Sequence, residues 1–291
     1  MRLATFQAGE RTRVGAIEGE RIVPVAEDMA ALIAGGPAAL DRARALAREG
    51  TGAVRLESTR LLAPIPRPRR NIFCVGWNYS EHFAEGTLVR GDTGPGDVPA
   101  HPAFFSKNPG TVVGPEAGVR HPGPVSTELD WEVELAVVIG REGRDIPEQR
   151  ALEHVFGYTC ANDVSVRDFQ QKRHGSQWFK GKNFDTHCPL GPWIVTADEI
   201  PDPQGLRVSS RVNGVTKQDS NTRHMVFTAA RIIAELSIGM TVWPGDVIAT
   251  GTPEGVGYAR RPPEFMKVGD VVEVEVERIG VLRNTIIQPS G

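Results

Sequence analysis

Two glutamates, Glu132 and Glu134, lie two residues apart in the segment LDWEVELAVVIG, whose β-branched and apolar composition is typical of a strand. Side chains alternate along a strand, so both carboxylates would point to one face, where they repel each other and resist burial. A hard divalent cation would relieve both problems, because it prefers oxygen ligands. A solvated strand face is the alternative, and for one isolated pair it is the commoner case.

A third carboxylate, Asp163, lies in the segment ANDVSVRDFQQKR, which we expect to form a helix over 162–172. Asp163, or the asparagine before it, suits the N-cap of that helix. Arg167 and Gln170 follow Asp163 by four and seven residues, which would place them on its face of the helix. A capped surface helix with one ordinary ion pair is the alternative.

His82 and Glu85 are three residues apart in WNYSEHFAE, which is one turn of a helix. A carboxylate beside an imidazole fixes its tautomer and raises its basicity, as a general base requires, although many such pairs are only surface pairs. Lys182 in FKGKNFD adds a positive charge. The loop TGTPEGVG (250–257) could offer backbone N–H groups and hydroxyls to an anion, but most such loops are only tight turns.

Together these side chains meet the needs of one type of reaction. Three carboxylates and a divalent cation leave one negative charge, which would repel an anionic substrate. Arg167 and Lys182 would supply the missing positive charge. The sequence therefore predicts a metal-dependent site for a small anion.

The scaffold for this site divides near residue 68. Residues 1 to about 25 alternate as short strands, and residues 27–49 are Ala- and Leu-rich and helical, with a Gly-Gly-Pro interruption. The segment LLAPIPRPRR then has the composition of a stiff extended connector. We therefore expect a small N-terminal β/α domain over 1–68 and a catalytic domain over 69–291.

From residue 71 onward the chain is rich in strands, with helices notably over 162–172 and 224–236. The predicted strands are NIFCVG, WEVELAVVIG, GPWIVTADEI, LRVSSRVNG, GDVIATG and DVVEVEVERIG. This pattern predicts a β-dominated α+β fold, rolled or barrel-like, rather than a doubly wound parallel sheet. Residues 86–102 combine Gly, Pro and Asp with little apolar content, which indicates a surface loop or, beside an active site, a lid.

The composition, 40% hydrophobic and 24% charged, is typical of a globular protein. No apolar run approaches the roughly 18–20 residues of a membrane span, and the N-terminal segment lacks an apolar signal core, so we expect a cytoplasmic location and no membrane. The net charge of −3 argues against a nucleic acid partner. Cys74, Cys160 and Cys188 are scattered and are expected to be buried and reduced.

Several segments, taken in order, resemble the fumarylacetoacetate hydrolase family over about 71–287, and most closely its acylpyruvase and 2-hydroxyhepta-2,4-diene-1,7-dioate isomerase branch. These segments are CVGWNYSEH, FFSKN, LDWEVELAVVIG, VFGYTCANDVSVRDFQ, GKNFDTHCPLGPWIVT, VNGVTKQ and GDVIATGTPEGVG. The resemblance implies a mixed β-roll core, Mg²⁺ or Mn²⁺ held by carboxylates, and a homodimer. It also implies a small 2-oxo acid substrate, such as an acylpyruvate, oxaloacetate or a muconate-type diacid.

Residue roles follow from the same resemblance. The implied metal ligands are Glu132, Glu134 and Asp163. The implied catalytic residues are Lys182 and a lid-borne dyad of His82 and Glu85, and the implied substrate-binding residues are Arg167, Gln170 and Thr252. Glu254 falls near an acidic position used by some members. Val75 stands where the hydrolase of tyrosine breakdown has a further aspartate, and 86–102 is longer than usual for the branch.

The reaction predicted first is hydrolytic carbon–carbon cleavage of a 2,4-dioxo acid. His82, oriented by Glu85, would deprotonate a water that attacks the C4 carbonyl, and the metal and Lys182 would stabilise the departing enolate. The same enolate serves oxaloacetate decarboxylation and the isomerisation of unsaturated 2-hydroxy diacids, which are the alternatives. A catalytically dead binding protein is a remote further alternative, which the intact set of carboxylates disfavours.

Overall fold

The computed structural model describes the backbone of residues 1–90 and 99–289, and their side chains except those of 87–90. Residues 91–98 of the predicted lid (86–102) lie outside the described residues, so the lid stays a prediction. Within the described ranges, no helix has both the length and the apolar character needed to cross a membrane.

The elements are short, and strands outnumber helices. The strands are β1 (Arg2–Ala8), β2 (Arg11–Glu18), β3 (Arg21–Ala26), β4 (Val54–Arg55), β5 (Leu61–Leu62), β6 (Ile72–Gly76), β7 (Ala103–Lys107), β8 (Val112–Val113), β9 (Gly118–Arg120), β10 (Leu129–Asp130), β11 (Val133–Ile139), β12 (Val155–Asn162), β13 (Ser165–Val166), β14 (Cys188–Thr196), β15 (Arg207–Val212), β16 (Val215–Asn221), β17 (Val247–Ala249), β18 (Val271–Val276) and β19 (Gly280–Ile287). The helices are α1 (Met29–Ala34), α2 (Gly36–Glu49), α3 (Ser80–Arg90), α4 (Arg167–Gln171), α5 (Phe179–Lys182) and α6 (Ala229–Ser237).

The main sheet has the strand order β4-β3-β2-β1-β14-β12-β11-β17-β6-β7, with β5 added on β1 and β8 on β14. A second sheet has the order β16-β15-β18-β19-β9, and β10 pairs with β13. Antiparallel pairs such as β11–β12 are mixed with parallel pairs such as β17–β6. The predicted β-dominated α+β class is confirmed, with open sheets rather than a closed barrel.

The N-terminal segment continues the main sheet. Strand β1 pairs with β14 through Arg2 with Val195 and Leu3 with Ile194. Leu3 of β1 and Val14 of β2 share one apolar cluster with residues of β11 and β14, so this cluster contains residues from both sides of position 68. The division into domains at 1–68 and 69–291 stays a prediction.

The predicted strands are present, but the helix predicted over 162–172 is wrong for its first half. Asn162 ends β12 opposite Val133, and Ser165–Val166 pairs with Leu129–Asp130. These strand pairs take the backbone hydrogen bonds that a helix would need, so α4 begins only at Arg167. The helix predicted over 224–236 begins later, at Ala229, where the Thr228 hydroxyl caps it by accepting from the Arg231 N–H.

Strand β11 lies inside the main sheet between β12 and β17. Every residue from Val133 to Ile139 is buried, because apolar clusters cover both faces of the strand. Leu135 and Val137 belong to one cluster, and Ala136 and Val138 belong to the other. The solvated strand face that was the alternative for the two glutamates is therefore excluded.

Candidate metal centre and active site

Three carboxylates meet at the start of β11. The pairing of β11 with β12 sets Glu134 opposite Ala161, two residues before Asp163, and the Asp163 N–H donates to the Glu132 carbonyl oxygen. One ligand oxygen from each of Glu132, Glu134 and Asp163 lies within 4.8 Å of the others. All three side chains are buried, with exposed fractions of 4%, 1% and 1%. Strand pairing, not the predicted helix, brings the third carboxylate to the first two.

Two buried lysines neutralise part of this cluster. Lys107 Nζ lies 2.6 Å from Asp163 Oδ1. Lys182 Nζ, at the end of α5, lies 2.7 Å from Asp163 Oδ2 and 2.8 Å from Glu132 Oε2. Burial alone would lower the pKa of Lys182, but Asp163 and Glu132 outweigh it and raise that pKa, so the ammonium stays charged.

The glutamates differ in their surroundings. Burial would raise the pKa of Glu132, but Lys182 and Arg167 lower it to about 2. Burial and the charges of Asp163 and Glu132 raise the pKa of Glu134, whose described hydrogen-bond partner is the Gly251 N–H, 2.8 Å from Oε2. No cation in the described part of the chain pairs directly with Glu134.

This donor set fits a hard divalent cation. The ligand atoms are all carboxylate oxygens, without sulfur or imidazole. The unpaired, buried Glu134 is also the group that a cation would stabilise most. The cluster is therefore suited to Mg²⁺ or Mn²⁺.

Arg167 begins α4 and is held on two sides. Its Nε donates to Asp130 Oδ2 over 2.7 Å, and its Nη1 lies 2.7 Å from Glu132 Oε1 and 2.9 Å from Gln170 Oε1. The β10–β13 ladder sets Asp130 opposite Ser165, which explains the contact. Arg167 Nη2 is buried without a hydrogen-bond partner among the described residues, so it can donate to a ligand.

The predicted dyad is formed within α3. His82 Nδ1 lies 2.9 Å from Glu85 Oε1, which indicates that Nδ1 carries the proton and leaves Nε2 as the basic nitrogen. Glu85 also accepts from the Gly255 N–H, 3.0 Å from Oε2. His82 is 93% buried, since its exposed fraction is 7%, so the alternative of an exposed surface pair is excluded.

The N–H groups of the loop 250–257 were one possible binding point for an anion. Three of those groups donate instead to the protein's own carboxylates. They are Gly251 N to Glu134 Oε2, Gly255 N to Glu85 Oε2, and Gly257 N to Asp130 Oδ1. Through these bonds the loop connects Glu134, the His82–Glu85 dyad and Asp130, the partner of Arg167.

Glycine is required at two positions of this loop. Gly251 and Gly255 have φ angles of +98° and +96°, which other residues rarely adopt. A Cβ at Gly251 would lie 2.7 Å from the Asn78 Cβ, and one at Gly255 would overlap the carbonyl oxygen of Lys217. Glu254, between them, has a buried Oε2 without a described partner, and burial together with Glu81 and Glu85 raises its pKa.

A cavity of about 60 Å³ joins most of the predicted residues. Its polar wall includes His82, Glu132, Arg167, Gln170, Lys182 and Thr252, and its aromatic wall consists of Trp77, Phe105, Trp178 and Tyr258. The structure therefore brings the predicted site residues together, while their individual roles stay predictions.

Three buried residues of the site were not assigned a role from the sequence: Lys107, Asp130 and Gln218. Asp130 had a usable signal, because it continues the every-second-residue series of Glu132 and Glu134. Lys107 and Gln218 lie in the segments FFSKN and VNGVTKQ, but nothing in those segments indicates which distant residues they contact.

An open, β-dominated α+β fold that buries three carboxylates beside an imidazole–carboxylate dyad is an arrangement suited to cation-assisted catalysis. The chain belongs to the fumarylacetoacetate hydrolase family. Residues 71–287 match the family described as "Fumarylacetoacetate (FAA) hydrolase C-terminal", and residues 1–64 match "Rv2993c-like, N-terminal".

Curated relatives share nearly half of their residues with this chain. "Oxaloacetate tautomerase FAHD2A, mitochondrial" from Homo sapiens is 48% identical over 244 residues, 84% of this chain and 74% of that protein. "Oxaloacetate tautomerase YisK" from Bacillus subtilis (strain 168) is 45% identical over 232 residues, 79% of this chain and 74% of that protein. The human protein is named as mitochondrial, and the cytoplasmic location expected for this chain stays a prediction.

Solved structures extend the likeness to the whole chain. A fumarylacetoacetate hydrolase from psychrophilic Exiguobacterium antarcticum has a TM-score of 0.84 at 38% identity and covers 99% of both chains. Maleylpyruvate hydrolase from Sphingobium sp. SYK-6, in complex with manganese(II) ion and pyruvate, has a TM-score of 0.80 at 31% identity and covers 100% of both chains.

Proposed function

We propose that this protein is a metal-dependent tautomerase of oxaloacetate, moving a proton between C3 and the C2 oxygen of a small 2-oxo diacid. This replaces hydrolysis as the first choice and lies closer to the isomerase alternative. The human and Bacillus subtilis relatives, both named oxaloacetate tautomerases at 48% and 45% identity, support the change.

The observation that carries the proposal is one cavity lined by the His82 imidazole, by Arg167 and Lys182, and by Glu132 of the carboxylate cluster. A divalent cation held by Glu132, Glu134 and Asp163 would acidify the C–H next to a 2-oxo group. His82 Nε2 would take the C3 proton, and Glu85 would stabilise the imidazolium that results. Returning that proton to oxygen gives the enol, so the atoms balance without water or another reactant.

The charges of the cavity suit an anion. Four buried carboxylates face three buried cations, which leaves one negative charge. They are Asp130, Glu132, Glu134 and Asp163, against Lys107, Arg167 and Lys182. A divalent cation would make the total +1, and the free Nη2 of Arg167 would then donate to a substrate carboxylate.

Hydrolysis of an acylpyruvate is the second candidate. The His82–Glu85 pair, 2.9 Å apart, is equally suited to deprotonating a water. The 31% identity to a maleylpyruvate hydrolase supports this candidate. Both reactions require the same base, so product identity must separate them.

The test is a turnover assay of the purified protein with Mg²⁺ and with Mn²⁺, on oxaloacetate, acetylpyruvate and fumarylpyruvate. Enol–keto interconversion of oxaloacetate is followed by ultraviolet absorbance, and products are identified by NMR. We expect accelerated interconversion, with pyruvate released no faster than by the metal ion alone. Faster cleavage of an acylpyruvate than interconversion of oxaloacetate would replace the tautomerase by the hydrolase, and formation of pyruvate and CO₂ well above the rate with the metal ion alone would replace it by a decarboxylase.

A further inference from the structure

Gln218 of β16 is a buried amide, 1% exposed, that lies behind the cavity. Its side chain makes four hydrogen bonds, to two strands and to the loop 250–257. Oε1 accepts from Val133 N (3.0 Å) and Ser210 Oγ (2.9 Å), and Nε2 donates to Thr252 Oγ1 (2.8 Å) and Pro253 O (2.8 Å).

The orientation of this amide is fixed by its backbone partners. The Val133 N–H can only donate and the Pro253 carbonyl can only accept, so a flipped amide would oppose like groups at both ends. Gln218 Nε2 must therefore point one hydrogen at Thr252 Oγ1. The oxygen of Thr252 is the acceptor in that bond, and its own proton must point elsewhere.

An acceptor for the Thr252 proton can enter from the cavity that this residue lines. Thr252 is 3% exposed and lines the cavity together with Arg167 and Lys182. Among the residues that the structure describes, none accepts the Thr252 proton. A ligand oxygen in the cavity can therefore accept it.

We propose that Gln218 is a positioning residue that sets the Thr252 hydroxyl as a hydrogen-bond donor to a carboxylate or oxo oxygen of the substrate. The inference rests on the proposed function, because it needs an anionic 2-oxo acid in the cavity. In this arrangement the Thr252 hydroxyl is a donor and not an acceptor, so it favours a carboxylate or oxo oxygen over an ammonium group, which can only donate, at that point of the ligand.

A reversal of this polarity tests the proposal. Gln218→Glu keeps one oxygen for Val133 and Ser210 but turns a second oxygen toward Thr252, which would then donate its proton to Glu instead of to the ligand. The probe is oxalate, whose affinity is measured by calorimetry with Mg²⁺ present, alongside kcat and KM for oxaloacetate. We expect oxalate affinity to fall about tenfold to a hundredfold, the scale of a lost hydrogen bond to a charged group.

A double-mutant cycle separates positioning from general support of the fold. Thr252→Val should weaken oxalate binding to a similar degree, and Thr252→Ser should keep it. In the Thr252→Val background, Gln218→Glu should change oxalate affinity by no more than about twofold, because the hydroxyl through which Gln218 acts is gone. If the wild type binds oxalate but the losses in affinity caused by Gln218→Glu and Thr252→Val are fully additive, the inference is overturned. The proposed function then remains intact.

Two further variants guard against an effect on folding alone. Asn284→Asp places a carboxylate at another buried amide, which donates to Gly114 O and Ala117 O and does not line the cavity. It should lower the melting temperature but not the oxalate affinity. If Gln218→Glu does not fold, Gln218→Met takes its place in the cycle with the same expectation of non-additivity. A wild type that neither binds oxalate nor turns over oxaloacetate would overturn the proposed function, and this inference with it.

Discussion

Arg167 and Asp130 form a fully buried ion pair, with Nε 2.7 Å from Oδ2 and exposed side-chain fractions of 3% and 0%. Asp130 also accepts from the backbone N–H groups of Gly257 and Tyr258. One carboxylate therefore fixes both the guanidinium and the far end of the loop 250–257. Loss of this carboxylate would therefore disturb the loop as well as the guanidinium.

Asp130→Asn should lower the free energy of unfolding by about 3 kcal/mol, because it removes one of the two carboxylates that pair with the buried Arg167 charge and leaves only Glu132. The variant should also weaken oxalate binding, since the guanidinium is no longer held at the cavity. Urea denaturation measures the first effect and calorimetry the second. Asp219→Asn, which removes the partner of the exposed Arg207, is the control and should leave the unfolding midpoint nearly unchanged. Equal effects of the two substitutions would contradict the assigned importance of the buried pair.

Glu134→Gln should abolish the response of the protein to divalent cations. In the wild type, Mg²⁺ or Mn²⁺ at a hundred times its Kd should stabilise the fold by about 2.7 kcal/mol, and EDTA should abolish turnover. Thermal unfolding with and without each ion is the measurement. Glu128→Gln, at a carboxylate paired with Lys172 outside the cluster, should keep the full response. A cation response retained in Glu134→Gln would remove this residue from the metal site.

His82→Ala should reduce tautomerisation, or hydrolysis if that is the activity, by about 10²–10⁴-fold, the scale of a lost general base. Mg²⁺ affinity should stay nearly unchanged, because the imidazole is not one of the clustered oxygen ligands. Decarboxylation of oxaloacetate, which needs no base, should suffer less. His224→Ala, at an exposed histidine outside both the cavity and the predicted lid, is the control and should retain activity. Wild-type rates in His82→Ala would exclude it as the base.

Gly255→Ala should cost more stability and more activity than Gly269→Ala. Both glycines have nearly the same φ, +96° and +95°, so each alanine pays about 1–2 kcal/mol for the left-handed conformation. Only at Gly255 does the added Cβ meet another group, the Lys217 carbonyl, whereas Gly269 is open within 4 Å. Displacement of Gly255 would also break its bond to Glu85. Comparison of the unfolding free energy and kcat of the two variants isolates the effect of the steric overlap at Gly255. Equal losses at both positions would argue against that effect.

The sequence predicted what depends on local periodicity. Alternation along a strand placed Glu132 and Glu134 together, and helical spacing placed His82 beside Glu85. Asp163 lies in the cluster with the two glutamates, as the family resemblance implied, but the helix N-cap expected at Asp163 or Asn162 was wrong. The strand pairing of β11 with β12 decides its position, and that pairing joins residues about thirty apart.

Contacts between distant segments could not be predicted in this way. Lys107 reaches Asp163 across 56 residues and Gln218 reaches Val133 across 85. A lysine or glutamine in a loop or strand is ordinarily exposed, so only the fold reveals that these two are buried and bonded. From the sequence, the loop 250–257 could either offer its N–H groups to an anion or be only a tight turn. Three of those N–H groups donate to Glu134, Glu85 and Asp130, because the fold brings these carboxylates to the loop.

The pairing of β1 with β14 has a practical consequence for truncation. A fragment that starts at residue 69 would leave the backbone groups of Ile194 and Val195 without partners along that side of β14. It would also uncover apolar side chains that now pack against Leu3 and Val14. Unpaired strand edges flanked by apolar surface recruit other chains, so we expect a fragment cut at this boundary to aggregate more readily than the whole chain.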